Sequence, residues 1–247
     1  MTFQRARTPQ QRSERRRQIL DTTAQMLTET TIANLSLNEL SRRTGLAKSN
    51  VLRYFESREA ILFELLDAEL QDWLTALEGS LDGVEGTPRQ RGDRFARAVA
   101  QSLAERPVLC DLLSAQSAVL EHNVTPQVSY EHKHATLRSF RILAGLARRC
   151  LPELGAEDAF RLTGFISLAA SATWPYIQPS RALTAAYPND PVVAAMDVDF
   201  ADVVSQAVAV SISGLLARGE DIPLGARPLA TIDAEADPEQ HAAAAPH

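Results

Sequence analysis

Apolar positions along most of this 247-residue chain recur three and four residues apart, the spacing of one helix face, and strict alternation is rare. Ile19, Leu20, Thr23, Ala24 and Leu27 form the first such stripe, and Ser13 is its predicted N-cap. Ser36 and Glu39 have capping-box spacing and predict a short second helix over Leu37 to Arg43, ended by Thr44-Gly45-Leu46. A third short helix follows from about Ala47 to Phe55. Ala47, Val51 and Phe55 share its inner side, Ser49 and Arg53 point the opposite way, and Asn50 and Leu52 flank them.

Ser57 then caps a long helix whose stripe runs Ile61, Leu62, Leu65, Leu66, Leu70, Trp73, Leu77 and Leu81. Past a loop at Gly83 to Pro88, helices are predicted at about 89–105, 107–121, 126–150, 156–177 and 199–218. The fold class is therefore all-α, with an N-terminal three-helix unit containing a helix-turn-helix, followed by a larger helical domain. Expected boundaries are a basic flexible arm at 1–12, the helix-turn-helix unit at 13–57 and the helical body at 58–218. The Pro-, Ala- and acid-rich tail at 219–247 reads as disordered.

Charge sharpens the division. The net charge is −6, but Met1 to Ala60 holds 11 Lys+Arg against 6 Asp+Glu, a net of +5, which leaves −11 on the remainder. A basic end on an acidic body suits a protein that docks that end on phosphate. The arginines of MTFQRARTPQQRSERRR precede no apolar stretch, and no later run approaches the ~18 consecutive apolar residues of a membrane span. A cytoplasmic protein with no membrane partner is expected. Cys110 and Cys150 have neither disulfide-framework nor metal-ligand spacing and read as buried thiols. His132 and His134 lie two apart, on different helix faces, so no metal site is predicted. With no GxSxG, HExxH or phosphate-binding glycine loop, neither catalytic residues nor a cofactor are expected.

The second and third helices make the helix-turn-helix. The major groove, ~12 Å wide, admits one helix held by its inner face and carrying donors outward. Lys48, Ser49, Asn50 and Arg53 meet that requirement, while Ser36, Tyr54 and Arg58 stand where phosphates would pass. The segment LSLNELSRRTGLAKSNVLRYFESREAILFELL resembles the DNA-binding domain of the TetR-type (TetR/AcrR) repressor family over roughly residues 13–65. It departs from that family's usual pattern at Ala47, Ser49 and Leu52. Leu52 has no phenol to offer phosphate, so it either touches a thymine methyl or packs. Arg5, Arg7, Arg12, Arg15, Arg16 and Arg17 either add minor-groove or backbone contacts or are unstructured.

In the body, the helix at 156–177 is apolar nearly all round, and the last helix carries one stripe of large and one of small residues. Pairing two such helices per subunit across a two-fold axis would form a four-helix bundle. The expected interface is Phe165, Leu168, Ala172, Val204, Val208, Ser211 and Leu215. The same stripe would equally close an intramolecular core. A dimer would read a palindromic operator with two recognition helices. The family resemblance further implies a small-molecule effector, lipophilic or aromatic, bound among the central helices. Candidate contacts are Phe95, Cys110, His122, Tyr130, His134, Trp174, Tyr176 and Gln178, with Pro175 as a source of a helix kink.

Overall fold

The computed structural model describes residues 9–116, 124–177, 191 and 198–219. It is helical throughout these, as the periodicity predicts. α1 spans Pro9–Leu27, four residues earlier than the expected cap at Ser13, because a proline is tolerated in a first turn whose N–H groups have no partner. α1 buries Ile19, Thr23, Met26 and Leu27, and the Thr23 hydroxyl is satisfied by the Ile19 carbonyl at 2.8 Å. A 3-10 turn at Ile32–Asn34 leads to α2, Leu37–Thr44.

The Ser36 hydroxyl accepts the Asn38 N–H at 3.2 Å, but the predicted capping box does not close. Glu39 faces Arg42 and Arg43 at 2.6 and 2.9 Å, and two guanidinium groups outcompete one backbone N–H for a carboxylate. Gly45 ends α2 at φ 67°, a left-handed conformation with little cost only for glycine. α3, Lys48–Val51, is a single turn and stops short of the expected Phe55; the backbone continues in tight turns, Tyr54 N–H reaching the Val51 carbonyl at 2.9 Å.

α4, Arg58–Ser80, is capped by Ser57, whose hydroxyl accepts the Ala60 N–H at 3.0 Å. Its predicted stripe is buried along its full length. It packs on α1 within the head and on α5, α6 and α7 in the body, so one rigid rod connects the two parts. α5, Pro88–Ala104, opens with a Thr87/Gln90 capping box. α6, Pro107–Ala115, is followed through Gln116, and the rest of its expected length to 121 lies outside the described residues. α7, Pro126–Cys150, α8, Ala156–Tyr176, and α9, Phe200–Arg218, are the other helices of the body among the described residues.

α9 lies against α5 and α8. Gly92 of α5 permits the close approach, since a Cβ there would stand 3.1 Å from Ile212 Cγ2. The docking buries Phe200, Val204, Val208, Ile212 and Leu215. Val204, Val208 and Leu215, expected at a dimer interface, belong instead to the protomer's own core and have no surface to offer a second copy. The reason lies in α9 itself, which has two apolar sides; the side with the larger residues is the one that gains most from burial inward. α9 is also long and apolar enough, by length and composition, to cross a membrane, yet here Phe200, Val204, Val208, Ile212 and Leu215 are covered by its neighbours.

Candidate nucleic-acid interface

The head is built around an apolar centre made by Ile19, Leu35, Leu40, Leu46, Val51 and Phe55, each at most 9% exposed. Val51 and Phe55 are the inner anchors of the recognition segment, as their spacing predicts. Outward from it, Lys48, Ser49 and Arg53 are exposed and Asn50 is half-buried. Neither Lys48 nor Arg53 makes an ion pair among the described residues, which leaves both cations available to an external acceptor. Leu52 is also on the outer side. Ser36 is exposed and Tyr54 half-buried at the ends of the two helices.

Other head arginines are already engaged. Arg58 donates to the Leu35 carbonyl at 3.3 Å and pairs with Glu59 at 2.8 Å, bracing the start of α4 against the loop before α2. Arg43 bridges Glu29 and Glu39 at 2.7 and 2.9 Å. Hydrogen bonds from Arg42 and Arg43 hold the Glu39 carboxyl far below its usual range, at about 2, and Arg43 likewise lowers Glu29. Arg16, one of the N-terminal arginines expected either to contact DNA or to be unstructured, turns inward and binds the Tyr54 carbonyl and Glu64.

Two cavities among the described residues bear on an effector site. One, of about 20 Å³, lies between α4, α5, α6, α7 and α8. Its lining is aliphatic and aromatic, with Leu70, Trp73, Leu113, Phe140, Ile166 and Ala170 around the hydroxyls of Ser139, Thr163 and Ser167. None of these is among the effector contacts that the sequence suggests, because core aliphatic residues carry no mark of a ligand. The other, about 740 Å³, is a polar cleft between the head and α7, walled by Arg16, Tyr54, Glu56, Asp67, Tyr130 and His134 among others.

Of the predicted effector contacts, Tyr130 and His134 line this polar cleft, their rings 4.2 Å apart. Phe95 and Cys110 are fully buried and line neither cavity. Burial pushes the Cys110 thiol up to about 12. Trp174 is a core strut: its indole N–H donates to Asp111 at 2.7 Å and its ring meets Phe200 edge-on at 5.2 Å. Tyr176 points to solvent, and His122 and Gln178 lie outside the described residues.

His132, considered by sequence only as half of a poor metal pair, is a buried bolt between helices. Its Nδ1 lies 2.8 Å from Asp67 of α4, its Nε2 3.0 Å from the Gln116 amide after α6, and its ring stacks on Phe63 at 4.1 Å. Among the described residues no three His, Cys, Asp or Glu side chains converge as metal ligands. A second tie spans head and body, where Glu56 accepts both the N–H and the hydroxyl of Thr125, the N-cap of α7, at 3.2 and 2.6 Å.

Comparison with known proteins agrees with this geometry. Residues 19–65 match the family model described as "Bacterial regulatory proteins, tetR family", and residues 67–219 match "Tetracyclin repressor-like, C-terminal domain". The HTH-type transcriptional repressor Rv1353c of Mycobacterium tuberculosis is 24% identical over 170 residues, 65% of this chain. The HTH-type transcriptional regulator Mb1388c of Mycobacterium bovis matches to the same extent. The chain spans 59% of the length of these curated relatives. Among solved structures, a TetR-family regulator from Mesorhizobium loti superposes with a TM-score of 0.53 at 14% identity, over 83% of this chain and 96% of its own. The regulator FadR from Bacillus subtilis, solved in complex with stearoyl-CoA, gives 0.51 at 14% identity, over 80% and 98%. At such identities the likeness is one of fold.

Proposed function

Because the chain belongs to the TetR family of DNA-binding, non-enzymatic transcriptional regulators, we propose that it is a cytoplasmic homodimeric repressor released from a palindromic operator by a small lipophilic molecule. The observation that carries the DNA half is the recognition segment itself. Val51 and Phe55 anchor it, while Lys48 and Arg53 project outward with no ion-pair partner among the described residues. Ser49, Asn50 and Arg53 then face base edges, Arg53 being suited to a guanine and Asn50 to an adenine. Lys48 stands with them near the bases, and Ser36 and Tyr54 lie toward the backbone. Arg58 contributes through the frame of the head, its guanidinium being used on Leu35 and Glu59.

Support for the dimer comes from the outer faces of α8 and α9. Phe165, Leu168, Tyr176 and Val210 are exposed there, beside the small residues Ala172 and Ala217. An apolar patch of this kind marks an association surface. The effector reading rests on the apolar cavity between α4 and α8, whose lining suits an aliphatic or aromatic body. Its volume holds about one water, so an effector must part the helices to enter, and that movement would act on α4. The same small volume favours a second reading, a regulator that needs no effector.

Selection of duplexes from a random library by the full-length protein tests the first half. An inverted repeat is expected, and Arg53→Ala should weaken binding to it by about 1–3 kcal/mol and relax preference at one position per half-site. Unchanged binding would remove Arg53 from the readout. Thermal stabilisation across a panel of lipophilic compounds separates the two readings of the body, because binding to the folded state alone raises Tm.

A further inference from the structure

α3 is a single turn, closed by the Val51 and Leu52 N–H groups on the Ala47 and Lys48 carbonyls at 3.1 and 3.0 Å, and Ala47 provides no side-chain cap. So short a helix does not repay its own nucleation, and the turns that continue it, in which Asn50 and Val51 carbonyls accept the Arg53, Tyr54 and Phe55 N–H groups, run only as far as Phe55. Something outside the helix must hold it.

Arg16 reaches that end from α1, 38 residues away in sequence. One Nη donates to the Tyr54 carbonyl, Nε and the other Nη pair with the two oxygens of Glu64 on α4, and the guanidinium lies 4.3 Å over the Phe55 ring. Only a planar fork can make two parallel carboxylate bonds, a carbonyl bond and an aromatic face contact together. The neighbouring Arg17 is 85% exposed in its side chain, against 33% for Arg16.

We propose that Arg16 is a positioning residue for DNA readout: it locks the end of the recognition helix to α1 and α4, and so sets where Ser49, Asn50 and Arg53 stand, without touching DNA. This rests on the DNA-binding reading above. These contacts tie α1 both to the turns that follow α3 and to α4, and α4 continues into the body, so a shift of α4 acts on the recognition segment through Glu64 and Arg16.

The test uses the full-length protein with two duplexes, the sequence that the wild type selects from a random library and a scrambled duplex of equal length. Arg16→Gln should weaken binding to the selected duplex by about tenfold or more, the loss expected for charge-assisted hydrogen bonds. Affinity for the scrambled duplex and the slope of log K against log salt should not change. Arg16→Lys should not rescue, because it keeps the charge and loses the fork. Exchange of the pair, Arg16→Glu with Glu64→Arg, should leave specificity impaired, since the Tyr54 carbonyl has lost its donor. If Arg16→Gln does not fold, Glu64→Gln, which retains the cation, must give the same selective loss.

Equal losses on both duplexes with a salt slope reduced by about 1 would make Arg16 a phosphate contact and overturn the proposal. A lowered Tm with unchanged affinity for the selected duplex, measured well below that Tm, would make it merely structural and overturn it too. Failure of the wild type to select any sequence would instead refute the DNA-binding reading on which the proposal stands.

Discussion

Leu168→Glu is expected to separate the proposed dimer, and Val208→Glu to unfold the protomer. Leu168 is 67% exposed on α8, whereas Val208 is 0% exposed between α9, α5 and α8. Burying a whole leucine side chain contributes about 1.5–3 kcal/mol, so covering the exposed two-thirds of Leu168 contributes about 1–2 kcal/mol per copy. A two-fold interface uses the residue twice, giving about 2–4 kcal/mol and a dimer dissociation constant raised roughly 25- to 700-fold, before any cost of the new charge. Sedimentation velocity across a concentration series reads this directly, with circular dichroism as the check that the variant is folded. A folded Leu168→Glu protein that dimerises as the wild type does would refute the assignment of this face. A folded, monomeric Val208→Glu protein would refute the placement of that side chain in the core, and favour the alternative face of α9.

The buried positions yield further expectations. Val51→Ala removes two fully buried methyl groups beneath the recognition segment and should cost about 1.5–3 kcal/mol in denaturant unfolding; a loss below about 0.5 would mean that the segment is not anchored there. Burial holds the Asp67 carboxyl above its ordinary 3.8, so ionising it opposes folding. Its favourable contribution is complete below that value and is lost as pH rises through the raised one. Asp67→Asn should therefore gain stability relative to the wild type as pH rises from below 4 toward 7, and a difference that shrinks over that range would reverse the assignment. Neither Cys110 nor Cys150 should react with iodoacetamide at pH 8 in the native protein, because burial raises both thiols; intact-mass spectrometry showing rapid labelling of Cys110 would mean that the body opens readily.

Much of the architecture is local in origin and was legible along the chain. The helices from α4 to α9 fall within a residue or two of their periodic stripes wherever both ends are described, since a 3.6-residue stripe, a capping Ser57 and a breaking Gly45 act over a few neighbours. The outward set Lys48, Ser49 and Arg53 was legible for the same reason: residues on one turn face together whatever surrounds them. The box at Ser36 stays open because nearby competitors, Arg42 and Arg43, take the Glu39 carboxylate.

What the tertiary structure alone decided is the pairing of distant groups. α9 has two apolar sides, and which of them turns inward is settled where it meets its neighbours: the side with the larger residues gains most from burial, and Gly92 leaves room for Ile212 at the crossing. Arg16 looked like its neighbours in a run of basic residues, and is distinguished only by the Tyr54 carbonyl and Glu64, 38 and 48 positions on. His132 is likewise defined by Asp67, 65 positions earlier. Periodicity states which side of a helix is apolar, but it holds no information on what that side will meet. The choice among equally apolar faces, and among similar charges, is made by packing and by desolvation, which exist only once the helices are assembled.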